Sequence, residues 1–191
     1  NTIAARMLLG QLAPALATVN EALQTRPDAV RLLDLKANIL TRQNNYSEAA
    51  DVMDRVIELD PSFDRAYLKR GQYRLQSGAE ADEVLSDFRK AVEQGTPGNQ
   101  IAQQLLAIGW NDYFQNERFD KAAQMFESGL EFAEGGTDMA HQLHFFRGYT
   151  AYEQGVDLDT NNTEEACQPA QQALQQFETA LSNFKQSGNY Q

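Results

Sequence analysis

A unit of two short amphipathic stretches recurs along this chain, and that repetition limits the fold more than any single motif does. In residues 30–61, Leu33, Ala37 and Leu40 sit at helical spacing and a polar turn, RQNNYS, follows. Ala49, Met53 and Val56 then repeat the spacing, and Asp60-Pro61 ends the unit. The next unit has AYLKRGQYRLQSG, then Val84, Phe88 and Ala91, and closes at TPG. In the one after it, Leu106, Gly109, Trp110 and Tyr113 precede Ala122, Phe126 and Gly129. A further unit has HFFRGYTAYEQG, an extended polar segment, and then Ala173, Phe177 and Ala180. Ahead of them all, Ala15, Val19 and Ala22 followed by Pro27 read as the second half of an earlier unit, so the chain begins inside a repeat.

Each unit reads as a helix, a tight turn and a second helix. Glycine or alanine recurs where the two helices cross, because only a small side chain lets the backbones approach closely. Breakers mark the joints at Pro27-Asp28, Pro61-Ser62, Pro97-Gly98-Asn99 and Gly135-Gly136-Thr137-Asp138. Asp28, Ser62 and Asn99 are suitable N-caps for the helices that follow. No β-branched strand run occurs, which argues against an enzyme core of βαβ units. The expected fold is all-α, a right-handed superhelical array of antiparallel helix pairs. It forms a single repeat domain over 1–191, with a partial repeat at 1–29 and repeats at about 30–63, 64–99, 100–136 and 137–187.

This pattern resembles the tetratricopeptide repeat family, whose unit is about 34 residues long. Leu33, Ala37, Leu40, Ala49, Met53, Val56 and Pro61 match its spacing without a gap, and AYLKRG with Gly71 and Gly78 looks like a typical member. Two departures stand out. Anchoring on Gly71, Gly109 and Gly148 gives a register one residue different from anchoring on the second helix, and one extra residue in each interhelix turn would reconcile them. The last repeat also carries an insertion at about 156–165. After it, Asn162-Thr163-Glu164-Glu165 reads as an N-cap with an acidic first turn, so a helix is expected over about 163–186. That helix either closes the last repeat or opens a sixth whose partner is missing, and the SGNYQ terminus reads as a cut from something longer.

The resemblance implies that first helices line a concave face and second helices a convex one. Charge divides along that line: first helices sum to about +3 and second helices to about −11. Two accounts stand side by side, a solvated acidic outer face or a mildly basic groove suited to an acidic peptide. A subset of the family holds a peptide's terminal carboxylate with asparagines and bases on successive first helices. Here Asn38 fills one such position, but Asp34 replaces the expected base, and Lys69, Gln103 and Ala107 stand at the others. Only fragments of that clamp are present. The candidate peptide-binding residues are Arg31, Asn38, Arg42, Lys69, Gln72, Trp110, Phe114 and Tyr149.

The aromatics carry the register question. With the second-helix register, Trp110, Tyr113, Tyr149 and Tyr152 are interhelix core. With the glycine register, Trp110, Phe114, Tyr149 and Tyr152 lean into the groove, where they would anchor an apolar side chain.

Other chemistry is thin. His141 and His144 have helical ligand spacing but no further ligands nearby. Residues 157–168 imitate a calcium loop at Asp157, Asp159 and Asn161, yet Asn162 and Gln168 stand where glycine and a bidentate glutamate are needed. Asn161-Asn162-Thr163 is a formal glycosylation sequon. The lone Cys167 excludes an internal disulfide, and Asp82-Glu83 reads as a solvated face. No hydrolase elbow, phosphate-cradling loop or zinc-protease motif occurs, so neither catalytic residues nor a cofactor are expected. A net charge of −11 argues against general nucleic-acid binding and anionic membranes. The first residue is Asn1, so both a cytoplasmic location and export after loss of an N-terminal region stay open. Three functions follow in order: a non-enzymatic scaffold binding a peptide or partner domain on its concave face, end-to-end self-association through unfinished repeats, and a metal-dependent or enzymatic role for the insertion.

Overall fold

The computed structural model of the chain describes residues 2–63, 65–157, 171–175, 177–179 and 181–182, and every regular element among them is helical. It divides into two compact units, Asn1–Thr96 and Pro97–Gln191. The first unit contains α1 (Thr2–Leu8), α2 (Leu12–Thr25), α3 (Val30–Arg42), α4 (Tyr46–Leu59), α5 (Ala66–Ser77) and α6 (Ala81–Glu93). The second contains α7 (Gly98–Ile108), which runs on through a π-helical turn at Gly109–Tyr113 and a 3₁₀ turn at Phe114–Asn116. It continues with α8 (Phe119–Phe132) and α9 (Asp138–Asp157), and residues 171–175, 177–179 and 181–182 are also helical. No helix among the described residues is long and apolar enough to cross a membrane.

Within each unit, consecutive helices pack on one another, as a chain of helix pairs requires. The helical spacing translates directly into burial: Ala37, Ala49, Met53 and Val56 are completely buried in one cluster with Leu33, Leu40 and Tyr73. Ala15 and Val19 of α2 form a second cluster with Ile39.

The small residues sit where the helices cross. A Cβ on Gly71 would lie 2.7 Å from the Phe88 ring and 3.1 Å from Cβ of Asp87. A Cβ on Gly109 would lie 2.6 Å from the Phe126 ring and 3.1 Å from Cβ of Met125. Two glycines therefore make the same close approach to the same kind of partner, and the glycine-anchored register is the one the helices adopt.

The extra residue is absorbed in two ways. The turn between paired helices uses a left-handed residue: Asn44 (φ 60°), Gly78 (φ 78°) and Glu117 (φ 58°). After Gly78, both Ala79 and Glu80 precede α6, whereas only Asn45 separates Asn44 from α4; here the insertion is in the turn, as the spacing predicts. After Gly109, the left-handed residue arrives one position later than it does after Ala37, and the surplus is taken up inside the first helix as the π-helical turn. The first helix of the last repeat, α9, runs on through Val156 and Asp157, the first two residues of the expected insertion. The rest of that insertion, the calcium-like loop beyond Asp157, the sequon, Cys167 and with them the expectation for Gly148 fall outside the described residues.

The three expected N-caps are not caps. The residues flanking α3, α5 and α7 are Ala29, Arg65 and Pro97, and none makes a side-chain cap hydrogen bond. Each polar side chain has another partner. Asp28 pairs with Arg55 at 2.7 Å, Ser62 donates from its amide and hydroxyl to Asp60, and Asn99 accepts from the Glu134 amide at 3.3 Å.

Candidate functional site

In the first unit the first helices α3 and α5 present a polar, internally paired face. Asp34 accepts from Lys69 Nζ and from Asn38 Nδ2 (3.3 Å), and the Tyr73 hydroxyl donates to Asn38 Oδ1 at 3.4 Å. Burial and the Asp34 charge push the Tyr73 phenol up to about 12, so it is a neutral donor at physiological pH. Asn38 and Lys69 are thus brought together, but around the aspartate that replaces the clamp's base.

Beside this face lies an ionic network that the charge count passes over. The Asp87 side chain is 2% exposed and accepts from Arg70 Nε (3.0 Å) and Nη2 and from Arg74 Nη1 (3.0 Å). Asp54 accepts from Arg70 Nη1 at 2.7 Å and from Arg74 at 3.3 Å. Arg70 and Arg74 are one helical turn apart, so both guanidinium groups reach the same carboxylate, and an acid this deeply buried needs such partners. Two second-helix acids counted with the outer face are in fact partners of first-helix bases. Lys36 likewise pairs with Glu48 at 3.3 Å. Among the site candidates, Arg31 is exposed on α3, the exposed Arg42 donates to the Met7 carbonyl at 3.1 Å, and Gln72 is half-buried on α5.

In the second unit the corresponding face is aromatic. Trp110 stacks on Phe114 (centroids 4.7 Å apart, planes 12° apart) and tilts against Phe146 of α9 at 5.0 Å. Phe114 meets Tyr149 at 5.2 Å and Phe119 at 5.3 Å, and Phe145 continues the row at 6.5 Å from Tyr149. Phe177 closes edge-on over Phe145 and Tyr152, at 6.3 Å and 6.4 Å. Phe146 links the row to the fully buried Phe126 at 5.8 Å. The π-helical turn explains the stack: its wider i→i+5 winding brings residues four apart closer to register than an α-helix does, which sets Trp110 over Phe114.

The rotation of Trp110 is therefore resolved as the glycine register requires. Trp110, Phe114 and Tyr149 share one half-buried surface of the first helices, while Tyr113 turns toward the start of α8 beneath Arg118 (4.9 Å) and Lys121 (5.9 Å). Phe145 and Tyr152 are exposed, at 41% and 50%. A hydrogen bond to Glu153 holds the Tyr149 phenol above its ordinary range. His141 is buried and His144 half-buried on α9, and burial followed by the nearby Arg147 charge lowers the His144 pKa. Among the described residues, no three His, Cys, Asp or Glu side chains converge as a metal site. Asp82 and Glu83 stand in the first turn of α6, and Gln103 and Ala107 are exposed on α7.

The tetratricopeptide repeat family model matches residues 5–62 and 35–99. The mitochondrial import receptor subunit TOM70 of Homo sapiens is 25% identical over 131 residues, which is 69% of this chain and 21% of that protein. Its Rattus norvegicus counterpart matches to the same extent. The matched stretch thus spans about a fifth of these curated relatives. Among solved structures, a crystal structure of MamA has a TM-score of 0.57 at 16% identity, covering 99% of this chain and 91% of that one. MamA from Desulfovibrio magneticus RS-1 has a TM-score of 0.55 at 16% identity, covering 94% and 93%. At such identities the likeness is one of fold.

Proposed function

This chain belongs to the tetratricopeptide repeat family, and from that premise we propose that it is a non-enzymatic scaffold that binds a peptide or partner domain on its first-helix face. The observation that carries the reading is the half-buried aromatic row of Trp110, Phe114 and Tyr149. A contiguous row of large rings left partly in water marks an interaction surface, where scattered apolar residues do not, and aromatic anchors of this kind dominate the energetics of recognition surfaces. TOM70 is itself an import receptor subunit by name, which agrees with a recognition role.

An acidic partner would engage the first helices of the first unit at Arg31 and Arg42, since Lys69 is held by Asp34 and Arg70 and Arg74 by Asp54 and Asp87. The clean test is affinity capture with the intact chain beside three variants. Arg31→Glu with Arg42→Glu, and Trp110→Ala with Phe114→Ala, each alter the first-helix face. Asp82→Lys with Glu83→Lys alters a second helix. Loss of partners in either first-helix variant, with retention in the second-helix one, is expected. Equal retention by all three variants contradicts the reading.

A second reading, end-to-end self-association, has its own observation. Leu8 and Leu9 at the end of α1 are 84% and 72% exposed, as unfinished apolar surface would be. Light scattering should then show concentration-dependent assembly that Leu8→Gln with Leu9→Gln abolishes. A monomer at high concentration excludes it.

A further inference from the structure

The aromatic row lies in a strongly acidic unit. Residues 97–191 hold four basic and thirteen acidic side chains, against twelve and fourteen in residues 1–96. The net charges are therefore −9 and −2. The bases of the second unit that the structure describes are already engaged elsewhere. Arg118 and Lys121 lie over the Tyr113 ring, and Arg147 pairs with Glu127. An acid stands at the row itself: Glu153 accepts from the Tyr149 hydroxyl.

Ring faces carry a negative quadrupole and attract guanidinium and ammonium groups, while their edges and area favour aliphatic contact. A negative field over an apolar floor selects a ligand that is both cationic and apolar, and it repels an acidic one. We propose that the second unit's row, from Trp110 through Phe114 and Tyr149 to the exposed Phe145 and Tyr152, docks a cationic peptide segment with interspersed aliphatic side chains. Its Arg or Lys groups lie on ring faces near Glu153, and its aliphatic side chains lie between the rings. This deepens the scaffold reading and rests on it, while assigning to the second unit a partner of opposite charge from the one Arg31 and Arg42 would take.

Trp110 is the single tryptophan of the chain, so its emission reports on this row alone. The intact chain is titrated with three short synthetic peptides: lysine and arginine interspersed with leucine, the same charges interspersed with serine, and a glutamate–leucine counterpart. Calorimetry runs in parallel. The lysine/arginine–leucine peptide should shift Trp110 emission saturably and bind about tenfold more tightly than the serine version, since each lost aliphatic contact costs affinity. Glu153→Gln, a change at a half-exposed polar side chain, should weaken it about threefold and flatten its salt dependence. Tyr149→Ala should weaken it further. Equal effects of the leucine and serine peptides mean diffuse charge attraction and overturn the proposal. So does tighter binding of the glutamate peptide, or heat of binding without any change at Trp110. That last result leaves the broader scaffold reading intact. The absence of both heat and emission change with all three peptides overturns this proposal and leaves the broader reading to its capture test.

Discussion

Gly71 and Gly109 hold the same place in the two units, yet their surroundings are built from opposite chemistry. Each glycine lets a first helix approach a buried phenylalanine, Phe88 or Phe126. The neighbour on the second helix is Asp87 in one unit and Met125 in the other, and its Cβ lies the same 3.1 Å from where a Cβ on the glycine would stand. Around Asp87 the first helix supplies Arg70 and Arg74, whereas the first helix facing Met125 has Ile108 and Asp112 at the equivalent positions and supplies no base. One backbone arrangement thus supports an ionic crossing and an apolar one. The repeat dictates where a small residue goes and leaves the identity of its neighbours free to diverge.

Exchanging the two chemistries is the strongest way to break the comparison. Met125→Asp buries a carboxylate with no matching guanidinium and should cost about 4 kcal/mol in urea unfolding. A loss below about 1 kcal/mol would show that the crossing is wetter than its 7% exposure implies. The reverse exchange, Asp87→Met, strands Arg70 and Arg74 on Asp54 and should cost about 3 kcal/mol. Adding Arg70→Ile and Arg74→Leu should recover most of that loss, because a well-packed apolar replacement of a buried ion pair is close to neutral. If the triple variant is no more stable than the single one, the network acts through something other than desolvated charge.

A smaller and symmetric effect is expected at the glycines. Gly71→Ala and Gly109→Ala each force a methyl against a buried ring and should cost about 2 kcal/mol, with Phe126→Leu relieving Gly109→Ala by opening the ring's space. A neutral Gly109→Ala would mean that the π-helical turn lets the first helix yield where α5 cannot.

The smallest effects concern pH, and they have opposite signs in the two units. Tyr73 has a raised pKa in the folded chain, through burial and then Asp34, so the unfolded state loses its proton first. Stability from this group is fully present below about pH 10 and declines as pH rises toward about 12, and Tyr73→Phe should remove that alkaline component. His144 has a lowered pKa, through burial and then Arg147. Its contribution is fully present above the ordinary histidine value near 6.5 and declines as pH falls below it, a slope that His144→Gln should abolish.

The fold was legible because burial at a helix crossing leaves a periodic mark. Ala37, Ala49, Met53 and Val56 could be placed from spacing alone, and Gly71 and Gly109 announced the close approach by lacking a Cβ. The register of the aromatics was only half legible, since two rotations of one helix satisfied the same pattern. What separated them was where an extra residue is stored, and a π-helical turn has no sequence signature of its own. The ionic network was hidden for a different reason. Asp87 reads like any acid on a second helix until Arg70 and Arg74, one turn apart on the preceding helix, are seen to point at it. The N-caps failed because Asp28 and Asn99 are taken by partners on other segments, Arg55 and the Glu134 amide, which the local sequence does not announce, and Ser62 by Asp60.

That the first-helix face is where partners bind can be tested at single positions. A photo-crosslinking residue placed at Tyr149 on α9, at Arg31 on α3, or at Glu83 on α6 in the intact chain reads contact directly in a cell extract. Adducts from positions 149 and 31, with none from position 83, are what a first-helix recognition face predicts. Adducts from position 83 alone would contradict it.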